Sequence, residues 1–255
     1  MCKDCGCSLP RGDHHHDHDH HDGHHHHHDH IHANPQLNDP KTLAAITKIL
    51  DANDKEAAGN REHFEEYGVL ALNMMSSPGS GKTSLLEHTA QRLGLRFGVI
   101  EGDLETNRDA ERIKAKGIPA VQIQTGTACH LDAHMVHHGL HELALADLDV
   151  VFIENVGNLV CPASYDIGSH YNVVLVSIPE GDDKIPKYPV MFRSADVVVI
   201  TKCDLIPYFD FDIDRAKADI RRLAPKADIL MVSTKDEASL DLWCEWIRMK
   251  KKMRG

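Results

Sequence analysis

From position 69 onward the chain alternates short, unbroken apolar runs with longer stretches whose apolar residues recur every three or four positions. The runs cover 69–75, 97–100, 120–124, 150–154, 173–178, 197–201 and 229–232. They are continuous rather than alternating, the pattern of strands buried on both faces. Helical spacing falls at 82–93, 107–116, 131–146, 213–223 and 239–252. The alternation predicts an α/β fold, a mostly parallel sheet with helices on both faces and ligands at the strand C-terminal ends. Ahead of it, Asp39-Pro40 reads as an N-cap with proline at the first helical position. Leu43, Ile46, Ile49 and Leu50 follow at helical spacing, which predicts one or two helices within 40–66.

Composition changes the picture mainly at the start. Residues 1–34 hold Cys2, Cys5 and Cys7, then a His/Asp tract with thirteen histidines between His14 and His32 and almost nothing apolar. Such a segment cannot offset its ordering entropy by burial and is expected to be disordered without a ligand. The expected layout is a metal-binding tail at 1–34, a helical linker at 35–66 and a P-loop domain at 67–255. A formal net charge of -11 speaks against generic nucleic-acid binding. No apolar run approaches the ~18 residues of a membrane span, and no secretory h-region follows the first charges. A cytoplasmic protein is the expectation, and its seven cysteines then argue for metal chemistry rather than disulfides.

The sharpest motif is Ser76-Ser-Pro-Gly-Ser-Gly-Lys-Thr83, placed between a strand and a helix as a P-loop requires. Small residues let the backbone N–H groups of Pro78–Ser84 (proline's own excepted) close on a phosphate, helped by the helix dipole. Within it Gly79, Ser80 and Gly81 form the turn, Lys82 reaches the β/γ-phosphates, and Thr83, followed by Ser84, offers its hydroxyl to Mg²⁺. Ser76 stands where the general pattern has its first glycine.

Strand 197–201 ends in Thr201-Lys202-Cys203-Asp204, which is similar to the Asn/Thr-Lys-x-Asp loop of GTPases. There the aspartate accepts from the guanine N1 and N2 protons, a demand adenine leaves unmet. The next strand ends in Ser233, Thr234 and Lys235, in the place of the loop facing guanine O6. Two acidic loops complete the nucleotide site. Asp103 is assigned to the Mg²⁺ sphere, Glu154 to orienting water or Mg²⁺, and Gly157 to sensing the γ-phosphate; Glu101 and Glu105 read as solvated loop charges.

Cys129-His130 and Cys161-Pro162 are expected at the same sheet edge, offering thiolate and imidazole ligands suited to Ni²⁺ or Zn²⁺. Two small buried cysteines beside an unrelated histidine is the competing reading. Cys2-x-x-Cys5-x-Cys7 can wrap a single metal ion, and the histidine tract can hold several at modest affinity.

Together these residues resemble the HypB family of nickel-incorporation GTPases, in a P-loop class that includes the signal-recognition GTPases and the urease accessory protein UreG. The resemblance spans the chain; its most diagnostic segment is Glu154-Asn-Val-Gly-Asn-Leu-Val-Cys161-Pro162, which joins a nucleotide switch to a metal ligand. It implies slow GTP hydrolysis that controls nickel delivery to the [NiFe] hydrogenase large subunit. It also implies a GTP-favoured homodimer with Cys129, His130 and Cys161 near its interface, a separate nickel site at Cys2, Cys5 and Cys7, and a zinc-containing partner of the HypA type. Two other readings stay open on the residues alone: a UreG-like GTPase serving urease, and a metal-storage protein with a vestigial nucleotide site.

Overall fold

The apolar runs become seven strands of one sheet, every neighbouring pair parallel, in the computed structural model, which describes residues 40–103 and 108–254. Helix α1 (Pro40–Glu66) leads into β1 (Leu70–Ser76), α2 (Lys82–Thr89), β2 (Phe97–Asp103), α3 (Arg108–Lys114) and β3 (Ala120–Gln124). Then come α4 (Ala133–His141), β4 (Val150–Glu154), β5 (Tyr171–Ser177), the short α5 (Lys184–Lys187) and α6 (Pro189–Arg193), and β6 (Val197–Thr201). The chain closes with α7 (Ile213–Leu223), β7 (Asp228–Val232) and α8 (Glu237–Arg254).

The sheet order is β3-β2-β4-β1-β5-β6-β7. The chain builds outward on one side of β1, returns through β4 beside it, and then crosses to β5 on the other side. That reversal opens a crevice at the C-terminal ends of the central strands, where ligands of such sheets bind. All seven residues of β1 and all five of β4 and of β6 are buried, which is why their runs lack polar alternation. One face packs under α2 and α8, with Trp243, Phe152 and Leu85 in its core. Other helices cover the opposite face, with Phe64 of α1 and Val136 of α4 packed in one part and Phe192 and Ile220 in another.

Several element bounds differ from the pattern, each for a physical reason. β2 continues past Ile100 through Glu101, Gly102 and Asp103 because its ladder with β3 runs on to Asp103↔Gln124. Helix α2 ends at Thr89, whose hydroxyl donates back to the Leu85 carbonyl at 2.7 Å and accepts from the Trp243 indole at 2.9 Å. α4 ends at His141, and the chain tightens into a turn at Leu145–Asp147 instead of continuing the helix. α5 and α6, too short to carry a periodic signal, were not expected.

The stretch expected as a linker is a single helix whose later turns dock. Asn53, Ala57, Asn60 and Phe64 form the buried face, whereas Ile49 is 44% exposed. Asn60 Nδ2 donates to the Ala133 carbonyl at 2.7 Å and to that of Ile167 at 3.2 Å. Asn53 Oδ1 accepts from the Ala133 N–H at 3.0 Å. Gly168 permits this approach: with φ +83, a Cβ there would lie 2.4 Å from the Ala57 carbonyl oxygen. Cys2, Cys5, Cys7 and the histidine tract lie outside the described residues.

Candidate functional site

Between β1 and α2 the loop carries Gly79 and Gly81 at φ +76 and +96, turns that a side chain would strain. Lys82 folds back so that its Nζ donates to Ser76 Oγ at 3.0 Å. The serine at the first P-loop position thus gives the buried ammonium an acceptor, and itself donates to the Ser77 carbonyl at 2.7 Å. Two further elements brace the loop. Ser80 Oγ donates to Glu180 Oε2 at 2.7 Å, and the same oxygen accepts from Ser177 N and Oγ at 2.8 and 2.7 Å. Thr201 Oγ1 donates to the Ser80 carbonyl and Lys202 Nζ to that of Gly79, both at 2.7 Å. Glu180, on the turn after β5, carried no sequence motif.

A cavity of about 510 Å³ opens above this loop, lined by Pro78, Gly79 and Gly81–Ser84, by Glu101–Asp103, Asp109 and Arg112, by Glu154–Gly157 and by Lys202. Thr83 Oγ1 donates to Glu154 Oε1 at 2.8 Å. Glu101 corrects the sequence reading: it is 2% exposed, at the end of β2, not a solvated loop charge. Oxygens of Glu101, Asp103 and Asp109 come within 4.8 Å of one another. Burial, reinforced by Glu154, Asp103 and Asp109, pushes the Glu101 carboxyl up to about 8. Burial likewise raises Glu154 against the pull of Lys82, and lowers the Lys82 ammonium against the pull of Glu154 and its neighbours.

The residues fit a divalent cation. Among the described residues Glu101 Oε2 and Glu154 Oε2 are buried without a hydrogen-bond partner, and oxygen donors crowd the P-loop end of the cavity. Such hard donors suit Mg²⁺. Gly157 closes the same space: a Cβ there would meet Pro78 Cα and N at 3.0 Å, so the β4 loop lies directly on the P-loop.

The residues expected to recognise the base stand at the ends of β6 and β7, with Lys202 lining this cavity. Lys202 takes a left-handed conformation at φ 57, rare for a residue with a side chain. Asp204 accepts from Ser233 Oγ at 2.7 Å and pairs with Lys235 at 2.8 Å; these two bonds hold its carboxyl below the usual range. Thr234 lies half-buried between those two partners.

Cys129, His130 and Cys161 come together although 32 positions separate the two cysteines. Their sulfurs lie 2.9 Å apart, no disulfide joins them, and one ligand atom from each of the three residues falls within 4.8 Å of the others. The His130 ring stacks on Tyr165 with centroids 4.0 Å apart, which fixes its plane. Soft sulfur with imidazole is a donor set for Ni²⁺ or Zn²⁺.

Asn155 connects this cluster to the nucleotide cavity; it lies inside the diagnostic segment 154–162, but the sequence reading gave it no role of its own. It follows Glu154 directly and is 1% exposed. Its Oδ1 accepts from the N–H groups of Leu131 and Val156, each at 3.0 Å, while Nδ2 donates to Asn73 Oδ1 at 3.2 Å. Leu131 adjoins His130 and presses on β2, where a Cβ on Gly102 would fall 2.6 Å from its Cγ. Asn158, farther along the loop, donates to the Cys129 carbonyl at 3.3 Å. The segment after Glu154 is thereby tied to both sides of the site.

Comparison with known proteins agrees with this geometry. Residues 70–231 match the family described as CobW/HypB/UreG, nucleotide-binding domain. The hydrogenase/urease maturation factor HypB of Helicobacter hepaticus is 48% identical over 222 residues, covering 86% of this chain and 91% of that protein. The hydrogenase maturation factor HypB of Azotobacter vinelandii is 47% identical, over 86% of this chain and 73% of its own length. The crystal structure of HypB from Helicobacter pylori in complex with nickel superposes with a TM-score of 0.78 at 48% identity, covering 79% of this chain and 96% of that one. A P-loop braced from β5 and β6, a Cys-His-Cys cluster on the adjoining loop and these likenesses place the chain in the CobW/HypB/UreG family of P-loop GTPases and, within it, in HypB.

Proposed function

We propose that this protein is a GTP-switched nickel metallochaperone, whose nucleotide state controls metal at Cys129, His130 and Cys161 during hydrogenase maturation. The observation that carries the reading is the Asn155 bridge, which ties the residue after Glu154 to the backbone beside His130. Relatives named as maturation factors and a relative crystallised with nickel support it.

The backbone of 78–84 receives the β- and γ-phosphates, and Lys82 moves from Ser76 to them. Thr83 and Asp103 would hold Mg²⁺, which would supply charge neutralisation at the transferring phosphoryl group. Glu154 releases the Thr83 hydroxyl and orients water, and the Gly157 N–H senses the γ-phosphate. Asp204 exchanges its Lys235 partner for the guanine edge while Ser233 keeps it aimed; Thr201 and Lys202 fix that loop, and Ser233, Thr234 and Lys235 border the base.

Hydrolysis is slow and serves the switch. Acting in the cytoplasm, the protein dimerises with GTP, receives nickel with a HypA-type partner, and passes it to the [NiFe] hydrogenase large subunit. Cys2, Cys5 and Cys7 form a separate nickel site; the histidine tract stores Ni²⁺ or Zn²⁺.

GTP turnover tests the enzyme half. Removing a charge-stabilising donor typically lowers kcat by about 10²–10³, so Lys82→Ala is expected to fall by that factor and Asp204→Asn to lose preference for GTP. Unchanged turnover in the first, or unchanged preference in the second, contradicts the assignment. In a deletion strain, Cys161→Ala should fail to restore hydrogenase activity. Urease activity in the same strain tests the second client named for the Helicobacter hepaticus relative.

A further inference from the structure

Away from the nucleotide cavity, α4 carries a second set of metal-ligating groups. His134, His137, His138 and His141 lie along it, and His63 faces His137 and His141 from α1. Residues four apart stand one above the other on a helix, so His137 pairs with His141 and His134 with His138. The Nε2 atoms of these pairs lie 3.1 and 3.2 Å apart. Two imidazole nitrogens bound to one divalent ion at ~2.1 Å, with angles near 90–110°, sit about 3.0–3.4 Å apart. Both pairs already have that spacing.

Among the described residues, the His137–His141 pair is the one that meets a ring from another helix and has a fixed tautomer. The His63 ring centroid lies 5.7 Å from that of His137 and 5.6 Å from that of His141, edge-on to both. His137 Nδ1 is 3.1 Å from Asn60 Oδ1. The Asn60 amide is oriented unambiguously, since its Nδ2 donates to the carbonyls of Ala133 and Ile167. Its Oδ1 therefore accepts, His137 Nδ1 carries the proton, and His137 Nε2 presents a lone pair to His141. An outer hydrogen bond of this kind orients metal-ligating histidines. Burial and the neighbouring His141, His63 and His138 lower the His137 pKa, while Glu56 of α1 acts in the opposite sense. The ring is thus favoured neutral, and a carboxylate stands near to offset added positive charge.

We infer that His63, His137 and His141 form a three-imidazole site for a borderline divalent cation such as Ni²⁺ or Zn²⁺, bridging α1 and α4. The cation replaces the hydrogen bond between His137 and His141. His141 then carries its single proton on Nδ1 rather than Nε2, and His63 turns one nitrogen inward. The site differs from Cys129-His130-Cys161 in having no sulfur. It stands on the two elements that lead toward that cluster, α1 continuing from the Cys- and His-rich segment and α4 starting just after His130.

The test is carbethoxylation of histidines in the full-length protein at buffered free Ni²⁺ concentrations, mapped peptide by peptide by mass spectrometry. His63, His137 and His141 should become protected together at one Ni²⁺ concentration, and His134 and His138 only at a concentration at least ~10-fold higher. In His141→Ala, an exposed substitution, protection of His63 and His137 should shift at least ~10-fold upward while that of His130 stays in place. Absence of protection at these three positions in the wild type overturns the inference. So does unchanged protection of His63 and His137 in His141→Ala.

Discussion

Replacing Asn155 by alanine removes the acceptor of two backbone N–H groups and the donor to Asn73 Oδ1. Leu131 is fully buried and Val156 is 6% exposed. Each buried polar group left unpaired costs roughly 1–3 kcal/mol. Three such groups would nominally cost three times that, but Asn155 borders the nucleotide cavity, and water entering the vacated space recovers part of it. The working figure is about 2–4 kcal/mol, or roughly 5–15 °C in Tm for a domain of this size. Asn158→Ala is the internal comparison, because it removes similar bonds in the same loop at a half-buried position. It should cost under ~1 kcal/mol. Thermal and urea unfolding of the GDP-bound proteins measure both. Equal losses in the two variants, or a loss below ~1 kcal/mol for Asn155→Ala, would refute the burial argument and the bridge built on it.

Gly157→Ala drives a Cβ against the Pro78 backbone. Overpacking of about 1–3 kcal/mol should weaken binding of a fluorescent GDP roughly 5- to 150-fold; unchanged affinity would show that the two loops can separate freely. Glu101 has a folded-state pKa of about 8 against an ordinary 4.5, so between those values the folded protein holds a proton that the unfolded chain has lost. Its contribution to stability therefore falls as pH rises through that window. The Tm advantage of Glu101→Gln over wild type, measured without nucleotide, should grow from pH 5.5 to 8.5, and a constant difference would contradict it. Glu180→Ala strips the acceptor shared by Ser80 and Ser177 and should raise the Kd for GDP; a P-loop braced sufficiently by Thr201 and Lys202 would leave it unchanged.

The strands were legible because burial on both faces leaves a continuous apolar run, and β3, β4 and β6 begin and end where their runs do. The same criterion stops β2 too early, since Glu101 is polar yet paired and buried. The P-loop was legible because its chemistry is contiguous. Cys129 and Cys161 were each visible, but their meeting depends on loops following β3 and β4, strands separated only by β2. Asn155 and Glu180 could not be read from one chain: their role lies in partners 24 and 100 positions away, and neither residue type signals that by itself. Helix α1 misled in the opposite sense. Its expected apolar stripe includes the exposed Ile49, while two asparagines make up half of its named docking face.

In the proposed switch the nucleotide loop and the Cys129-His130-Cys161 cluster move as one unit. Nickel titration of a full-length Cys2→Ser, Cys5→Ser, Cys7→Ser variant, followed by thiolate-to-metal absorption, isolates the sulfur ligands of that cluster. Coupling free energies of ~1–3 kcal/mol correspond to affinity ratios of about 5–150, and linkage requires nickel to change nucleotide affinity by the same factor. The Ni²⁺ affinities in GDP and in a non-hydrolysable GTP analogue should differ at least fivefold by that measure, and by less in Asn155→Ala. Equal affinities in the two nucleotide states would contradict the account and leave a GTPase and a metal site that merely share a sheet edge.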